Sequence, residues 1–265
     1  MYIYILVITH MIIFDDNCSD WKVLQNNICN LLNEVGIQSN TDVVLNTPRG
    51  IIAIDVYGID RNSVDEIKYI IECKSWNKRI PKSVVHSFIT VMSETGGNIG
   101  YIISNKGLQR GALEYLRNTP IKAFTFEEFQ ERYFETWFVR FFCQRIYQIS
   151  YTLQCYIEPF NSRRERCFSE LTISKQNQFK EKLYTYEVYS MQLATLSNIS
   201  IHGKVHRKKD IGAFDIEEFK VYLQGDAKEK FHASNYKQLL NEFEELINKA
   251  TEEFNEIFGK NIFNQ

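Results

Sequence analysis

Residues 51–74 read IIAIDVYGIDRNSVDEIKYIIECK, and this stretch decides the fold of the first half of the chain. Its two ends, Ile51–Tyr57 and Ile67–Cys73, are rich in β-branched and aromatic residues, and the polar run Arg61–Ser63 lies between them. Apolar runs of this kind separated by turn residues are typical of two adjacent antiparallel strands. The sequence therefore predicts a β-hairpin at its centre.

The predicted hairpin brings three ionisable side chains together. A turn centred near Ser63 places Asp55 opposite Glu72, with Cβ atoms about 4.5–5.5 Å apart. Lys74 shares a face with Glu72 because alternate residues of a strand point the same way. Two carboxylates this close raise each other's pKa, and a divalent cation removes the repulsion. Carboxylate oxygens suit Mg²⁺, and Lys74 can orient or deprotonate a water or steady phosphate charge, so this set predicts metal-assisted hydrolysis of a phosphodiester.

The elements around the hairpin predict an α/β domain, a mixed sheet flanked by helices. A helix capped by Ser19 or Asp20 precedes the hairpin and ends at Gly36. Its apolar residues recur at helical spacing: Trp21, Leu24, Ile28, Leu31, Leu32 and Val35. After the hairpin, the sequence predicts a helix from Pro81 to Gly96, a buried strand at 99–104, a helix at about 107–117 and a short strand at 123–125.

Beyond Gln130 the sequence predicts a mainly helical region. Apolar residues recur at helical spacing over 134–142 and over 239–257, where Ser234 is a candidate cap and Gly259 ends the helix. Periodicity leaves 183–191 open between strand and helix. We therefore predict two domains, 15–130 and 131–265, the second serving recognition, oligomerisation or partner binding.

Six short motifs are spread in order over residues 20–130. They are Ile54–Gly58, Ile71–Trp76, Ile80–Phe88, Gly100–Ser104, Gly107–Ala112 and Phe124–Phe129. Together they resemble the Mrr-like branch of the PD-(D/E)XK restriction-endonuclease superfamily. The resemblance implies a restriction-endonuclease-like fold and a metal-dependent DNA endonuclease of prokaryotic restriction or anti-phage defence. It also implies that Asp55, Glu72 and the Cys73 carbonyl bind Mg²⁺, with Mn²⁺ as a substitute, and that Lys74 is the catalytic lysine.

Three positions near the predicted site need separate mention. Many relatives carry glutamate in the first helix where this chain has Gln25. A glutamine can bind a water on the metal but supplies no charge, which leaves open whether a second metal binds. Ile54 also replaces the family's proline before Asp55, at no chemical cost. His86 is the histidine nearest to the catalytic strand, and we count it with Gln25 as possible support for the site.

Basic residues follow the predicted catalytic strands and are candidates for phosphate contacts. They are Lys78, Arg79, Lys82, Lys106 and Arg110, and the alternative is a solvated surface. Trp76 either stacks on a base or packs beneath its loop. The densest positive run, 202–209, is either a DNA-contacting loop or a solvated turn.

An E-x-K triplet alone is weak evidence. The chain has others at Glu66 and Lys68 and, as D-x-K, at Asp226 and Lys228. Only Glu72 and Lys74 follow a β-rich apolar run and face a carboxylate on a neighbouring strand. The alternative for them is a solvated ion pair on an edge strand.

Composition limits the possible functions. The chain has 265 residues, 31 basic and 33 acidic side chains and a net charge of −2, so any polyanion site must be local. Six cysteines without a C-x-x-C pair indicate reduced thiols and a cytoplasmic protein. The apolar opening, 1–14, is shorter than the roughly 20 residues of a membrane span. No Walker loop, G-x-G-x-x-G or G-x-S-x-G motif is present.

These observations favour a Mg²⁺-dependent DNA endonuclease that acts as a homodimer or with a partner defence subunit. The alternative is a non-catalytic scaffold of the same fold that binds a partner protein or nucleic acid. A third possibility is an RNA or single-strand nuclease.

Overall fold

The computed structural model describes residues 11–15, 20–203, 215–225, 227 and 230–264. They form two compact units. One is Phe14–Trp137, and the other joins residues 11–13 to the described residues from Phe138 onward. The predicted boundary at 130/131 falls inside a helix, whereas the units divide at 137/138. Trp137 belongs to the first unit because its indole Nε1 donates a hydrogen bond to Glu34 Oε2 at 2.6 Å.

The first unit is a mixed sheet flanked by helices, as the sequence predicts, and it has five strands where four are predicted. Its elements are α1 (Trp21–Glu34), β1 (Gln38–Thr47), β2 (Gly50–Asp60), β3 (Ile67–Lys74), α2 (Lys82–Thr95), β4 (Ile99–Ser104), α3 (Arg110–Tyr115), β5 (Ile121–Phe124) and α4 (Phe126–Trp137). The strands lie in the order β1-β2-β3-β4-β5. The first three pair antiparallel, and β3, β4 and β5 pair parallel. Helices connect the parallel strands, as parallel pairing requires.

The predicted hairpin register is confirmed. Val56 pairs with Ile71, and Asp60 pairs with Ile67 at the turn. Both Val56 and Ile71 are fully buried, so a slip by one residue would expose a buried side chain on each strand. β3 lies between β2 and β4, which rules out the edge-strand alternative for Glu72 and Lys74.

Strand β1 is missing from the sequence prediction. It pairs with β2 along its length, from Gln38 opposite Ile59 to Thr47 opposite Gly50. Its residues alternate between exposed and less exposed positions, but polar side chains occupy much of both faces. The alternation of Thr41, Val43 and Leu45 was the signal that could have found it.

The second unit is mainly helical, as predicted. Its elements are a π-helix (Phe138–Cys143), α5 (Gln144–Ile157), α6 (Ser162–Ser169), α7 (Ile173–Tyr186), α8 (Tyr189–His202), α9 (Ile216–Gln224) and α10 (Tyr236–Phe258). Residues 183–191, left open between strand and helix, belong mostly to α7 and α8. The apolar spacing at 134–142 is not one α-helix, because α4 gives way to the π-helix after Trp137.

Helix α10 lies at the centre of this unit's core. Its predicted apolar residues are buried, and Gly259 ends it in a left-handed conformation with φ of 72°. The cap is Asn235 rather than Ser234, because the Asn235 side chain accepts a hydrogen bond from the Gln238 backbone N–H at 2.9 Å. No described helix is both long enough and apolar enough to cross a bilayer.

An aromatic cluster around Phe254 should dominate the stability of the helical unit. The Phe254 ring stacks on Tyr156 at 4.9 Å between centroids and lies 5.4 Å from Phe179. We expect Phe254→Ala to lower the free energy of unfolding by about 3–5 kcal/mol, because it leaves a cavity in a packed core. Phe160→Ala is the matched control, since Phe160 is 93% exposed, and it should change stability by less than about 0.5 kcal/mol. Urea unfolding measures the free energy of unfolding of both variants. Equal losses of stability would contradict a central role for Phe254 in the core.

Candidate active site

The site lies where β2 and β3 separate. Their ladder ends at the pair of Val56 and Ile71, although β2 begins at Gly50 and β3 continues to Lys74. Just beyond that pair, the Cys73 backbone N–H donates a hydrogen bond to Asp55 Oδ2 at 2.8 Å. The Asp55 side chain therefore accepts a hydrogen bond from a backbone N–H that would otherwise pair β3 with β2. This bond fixes the Asp55 carboxylate at the point where the two strands separate.

Glu72 and Lys74 lie beside Asp55 on the neighbouring strand. The register places Asp55 opposite Glu72, one position beyond the last ladder pair, and the Lys74 ammonium forms an ion pair with Glu72. The side chains of Lys74 and Glu72 are 23% and 26% exposed, so solvent reaches both. Burial raises the pKa of the Glu72 carboxyl, the hydrogen bond and charge of Lys74 oppose this, and Asp55 raises it further. A cation beside both carboxylates would relieve this repulsion.

Gln25 also reaches the site. The buried side chain of this α1 residue donates from Nε2 to Asp55 Oδ1 at 2.9 Å, and its Oε1 accepts a hydrogen bond from Lys22 Nζ at 3.3 Å. Helix α1 holds it there: Asp20 caps the helix by accepting from the Lys22 backbone N–H, and Leu24 is fully buried. The structure thus brings Gln25, predicted as site support, into contact with Asp55.

Charge at position 25 provides a direct test of this geometry. We expect Gln25→Glu to lower the thermal unfolding temperature in EDTA, because it replaces an amide donor with a second carboxylate against Asp55, at a cost of about 1–3 kcal/mol. Mg²⁺ should restore part of the loss by neutralising the pair. Gln25→Leu removes the hydrogen bond without adding charge. Its unfolding temperature should therefore lie as far below that of wild type in Mg²⁺ as in EDTA. Equal losses of Gln25→Glu in EDTA and in Mg²⁺ would contradict the geometry.

Two clefts open beside these residues. The first, which we call the indole cleft, has a volume of about 610 Å³ and is lined by Asp20, Trp21, Asp55, Cys73, Lys74, Ser75 and Trp76. The second, the α2 cleft, has a volume of about 340 Å³ and is lined by Glu72, Lys74, Trp76, Ser83, Val84, Ser87, Phe88 and Val91. Asp55 and Glu72 therefore line different clefts, and Lys74 and Trp76 border both.

The donor chemistry fits a hard cation. Mg²⁺ is usually held by one or two carboxylates and keeps several waters, and Asp55 and Glu72 supply two carboxylates on adjacent strands. In the described part of the chain, no group of three or more His, Cys, Asp or Glu side chains is arranged to hold a metal ion. A metal at this site would therefore depend on two carboxylates, backbone oxygen and water.

A comparison with known families matches the segment that contains this site. Residues 17–133 match the family model Mrr_cat, described as a restriction endonuclease. This segment is an Mrr-like restriction-endonuclease domain. No curated protein matches the chain. A solved structure, that of the protein of unknown function AF1548, is 16% identical with a TM-score of 0.36, over 77% of this chain and 98% of that chain.

The predicted phosphate-contacting residues of the Mrr-like domain lie on two adjacent loops and at the starts of the helices that follow them. Ile80 N donates to Gly107 O at 3.0 Å and Gln109 N donates to Ile80 O at 3.0 Å, so the segments after β3 and β4 run side by side. These segments and the helix starts that follow them carry exposed basic residues: Lys78, Arg79, Lys82, Lys106 and Arg110. The ammonium of Lys82 lies 5.2 Å from the centroid of Tyr115.

The structure does not bring His86 to the carboxylates. Its exposed ring packs edge-on against Tyr115 at 4.3 Å between centroids, and it lines neither cleft. Its position in the sequence, soon after β3, suggested a role in the site, but the residue lies on the exposed face of α2. Residues 204–209 of the predicted basic loop, and the triplet at Asp226 and Lys228, lie outside the described residues.

Sequence reasoning missed part of the cleft wall. Trp21 was grouped with the apolar face of α1, but it is 52% exposed and lines the indole cleft with Asp20. The signal in the sequence was that Trp21 directly follows the helix cap, because the first turn of a helix can extend beyond the core. Trp76, left open between stacking and packing, packs partly against the core of the Mrr-like domain and also lines both clefts.

Proposed function

We propose that this chain is a metal-dependent endonuclease that hydrolyses DNA phosphodiester bonds. One observation carries the proposal: Asp55, fixed by the Cys73 backbone N–H, faces the strand that bears the Glu72–Lys74 ion pair at the point where β2 and β3 separate. The restriction-endonuclease family match over 17–133 supports the reaction class.

Asp55 and Glu72 would hold Mg²⁺, with the Cys73 carbonyl as a further ligand and Mn²⁺ as a substitute. The ion would polarise a phosphoryl oxygen and help to activate water. Hydrolysis joins the water oxygen to phosphorus and breaks one phosphorus–oxygen ester bond. Glu72 holds the Lys74 ammonium beside this position. From there the ammonium can orient the attacking water and stabilise the charge that builds on the phosphoryl oxygens.

DNA would bind along the paired loops after β3 and β4, where Lys78, Arg79 and Lys106 are exposed. The net charge of −2 favours weak intrinsic affinity, so we propose activation by a partner subunit or by pairing of two copies. The setting we propose is restriction or anti-phage defence in a prokaryotic cytoplasm. The helical second region, residues 131–265, would then serve recognition, oligomerisation or partner binding.

Plasmid cleavage tests this function. Purified protein should nick or linearise supercoiled plasmid in Mg²⁺, do so in Mn²⁺ as well, and fail in EDTA. Restoring Mg²⁺ after EDTA should recover cleavage. Cleavage that is insensitive to EDTA would contradict the proposal.

A non-catalytic scaffold is the second candidate, and one observation favours it. Asp55 and Glu72 line different clefts, and the Glu72 carboxylate is already engaged by Lys74. A scaffold of this kind would bind a partner protein or nucleic acid but would take up no Mg²⁺ in a saturable manner.

A further inference from the structure

The indole cleft has two aromatic walls. Trp21, the first residue of α1, is 52% exposed, and Trp76 follows the catalytic strand two residues after Lys74. Both line the same cleft of about 610 Å³, next to Asp55. An exposed tryptophan beside an active site leaves a large apolar surface in water, which a flat ligand can cover.

The charges of the cleft favour a neutral group over a phosphate between these walls. Asp20 and Asp55 line it, and the charge of Lys74, its lining cation, is paired with Glu72. Both carboxylates are hydrogen-bond acceptors, which suit the N–H groups of a nucleobase and repel an anion.

A further cation lies beside the Trp76 ring, where it can meet the phosphate of a stacked nucleotide: Lys78 Nζ is 5.6 Å from the ring centroid. Lys22 Nζ is 5.5 Å from the Trp21 ring centroid, but it is already ion-paired with Asp42. Neither lysine lines the cleft. Aromatic rings with a cation beside them are the means by which proteins bind single-stranded nucleic acid, and this cleft has both.

We propose that the indole cleft binds an unpaired DNA base against Trp21 and Trp76, and that the domain therefore acts on single-stranded or locally unpaired DNA. This rests on the proposed nuclease function for its substrate class. In a duplex, neighbouring pairs cover both faces of each base, so an indole can stack only on a base that has left the helix. Stacking tolerates any sequence because every base has an aromatic face. The cleft would therefore distinguish single-stranded from double-stranded DNA and not one sequence from another.

The experiment measures binding in EDTA, so its outcome does not depend on cleavage. A fluorescently labelled DNA oligonucleotide, single-stranded or annealed to its complement, is titrated with the full chain and followed by anisotropy. We expect the single strand to bind more tightly than the duplex. Trp21→Leu and Trp76→Leu should each weaken single-strand binding about 5- to 100-fold and leave duplex binding unchanged. Trp21→Phe and Trp76→Phe, which keep an aromatic face, should recover most of the affinity.

Controls separate this inference from loss of fold and from the nuclease proposal. Phe160→Leu removes an exposed aromatic ring from the helical unit and should bind both strands like wild type. If Trp76→Leu unfolds the domain, Trp21→Leu still tests the inference, because Trp21 is exposed and its replacement leaves the core intact. Equal affinity for both strand states, or a Trp21→Leu variant that binds like wild type, would overturn the inference even if plasmid is cleaved. Tighter binding of an RNA oligonucleotide of the same sequence would overturn the assignment to DNA.

Discussion

Lys74→Ala is expected to lower DNA cleavage by at least about 10²-fold while leaving the fold intact. The ammonium is the cation that the structure places against Glu72, and its partly exposed side chain borders both clefts, where it can reach a phosphate bound beside Glu72. In the proposed mechanism, alanine removes the group that would orient water and balance charge as the phosphorus–oxygen bond breaks. Initial rates on supercoiled plasmid in Mg²⁺ measure the effect, with circular dichroism as the check on folding.

Lys68→Ala is the matched control for this variant. Lys68 belongs to the same strand and completes a second E-x-K triplet with Glu66, but it lies opposite Ile59, towards the hairpin turn. Glu66 pairs instead with Arg61. Lys68→Ala should therefore cleave like wild type. Equal rates for Lys74→Ala and wild type would remove the lysine from the mechanism.

The second large effect is expected on metal binding. Asp55→Asn and Glu72→Gln should each abolish saturable Mn²⁺ binding measured by calorimetry, because each removes one of the two carboxylates that we propose to bind the ion. These substitutions keep the size of each side chain, and the Cys73 N–H keeps an oxygen acceptor at position 55. Asparagine also replaces the oxygen that accepts from Gln25 with an amide donor, so thermal unfolding of each variant must match wild type before loss of binding is assigned to the lost charge.

Glu66→Gln is the control for metal binding, since it removes a carboxylate of the same chain that faces Arg61 at the hairpin turn. It should bind Mn²⁺ like wild type. Saturable binding that survives the combined Asp55→Asn and Glu72→Gln variant would place any metal elsewhere. A wild-type protein that binds no metal would favour the non-catalytic scaffold.

The hairpin and its register could be predicted because two local signals agree. β-rich apolar runs flank a polar turn, and the register set by that turn pairs Val56 with Ile71, which are both buried. That register fixes Asp55 against Glu72, and strand alternation fixes Lys74 beside Glu72. The helical character of the second half followed from apolar spacing in the same way, with α10 as the clearest case.

Other features depend on tertiary contacts that local patterns do not carry. β1 has polar residues on both faces, so only its pairing with β2 makes it a strand. The hydrogen bond from Gln25 to Asp55 joins α1 to β2, and nothing in the spacing of positions 25 and 55 predicts it. Trp21 is exposed because it is the first residue of α1. The apolar spacing of the helix extends to this residue, but the hydrophobic core ends before it.

The central claim is that the carboxylates of Asp55 and Glu72 share one divalent cation where β2 and β3 separate. Anomalous diffraction from crystals soaked in Mn²⁺ tests it most directly. We predict an anomalous peak bonded to carboxylate oxygens of both residues and to the Cys73 carbonyl, with water completing the shell. A structure with saturating Mn²⁺ in which Asp55 and Glu72 bind no ion would contradict the account.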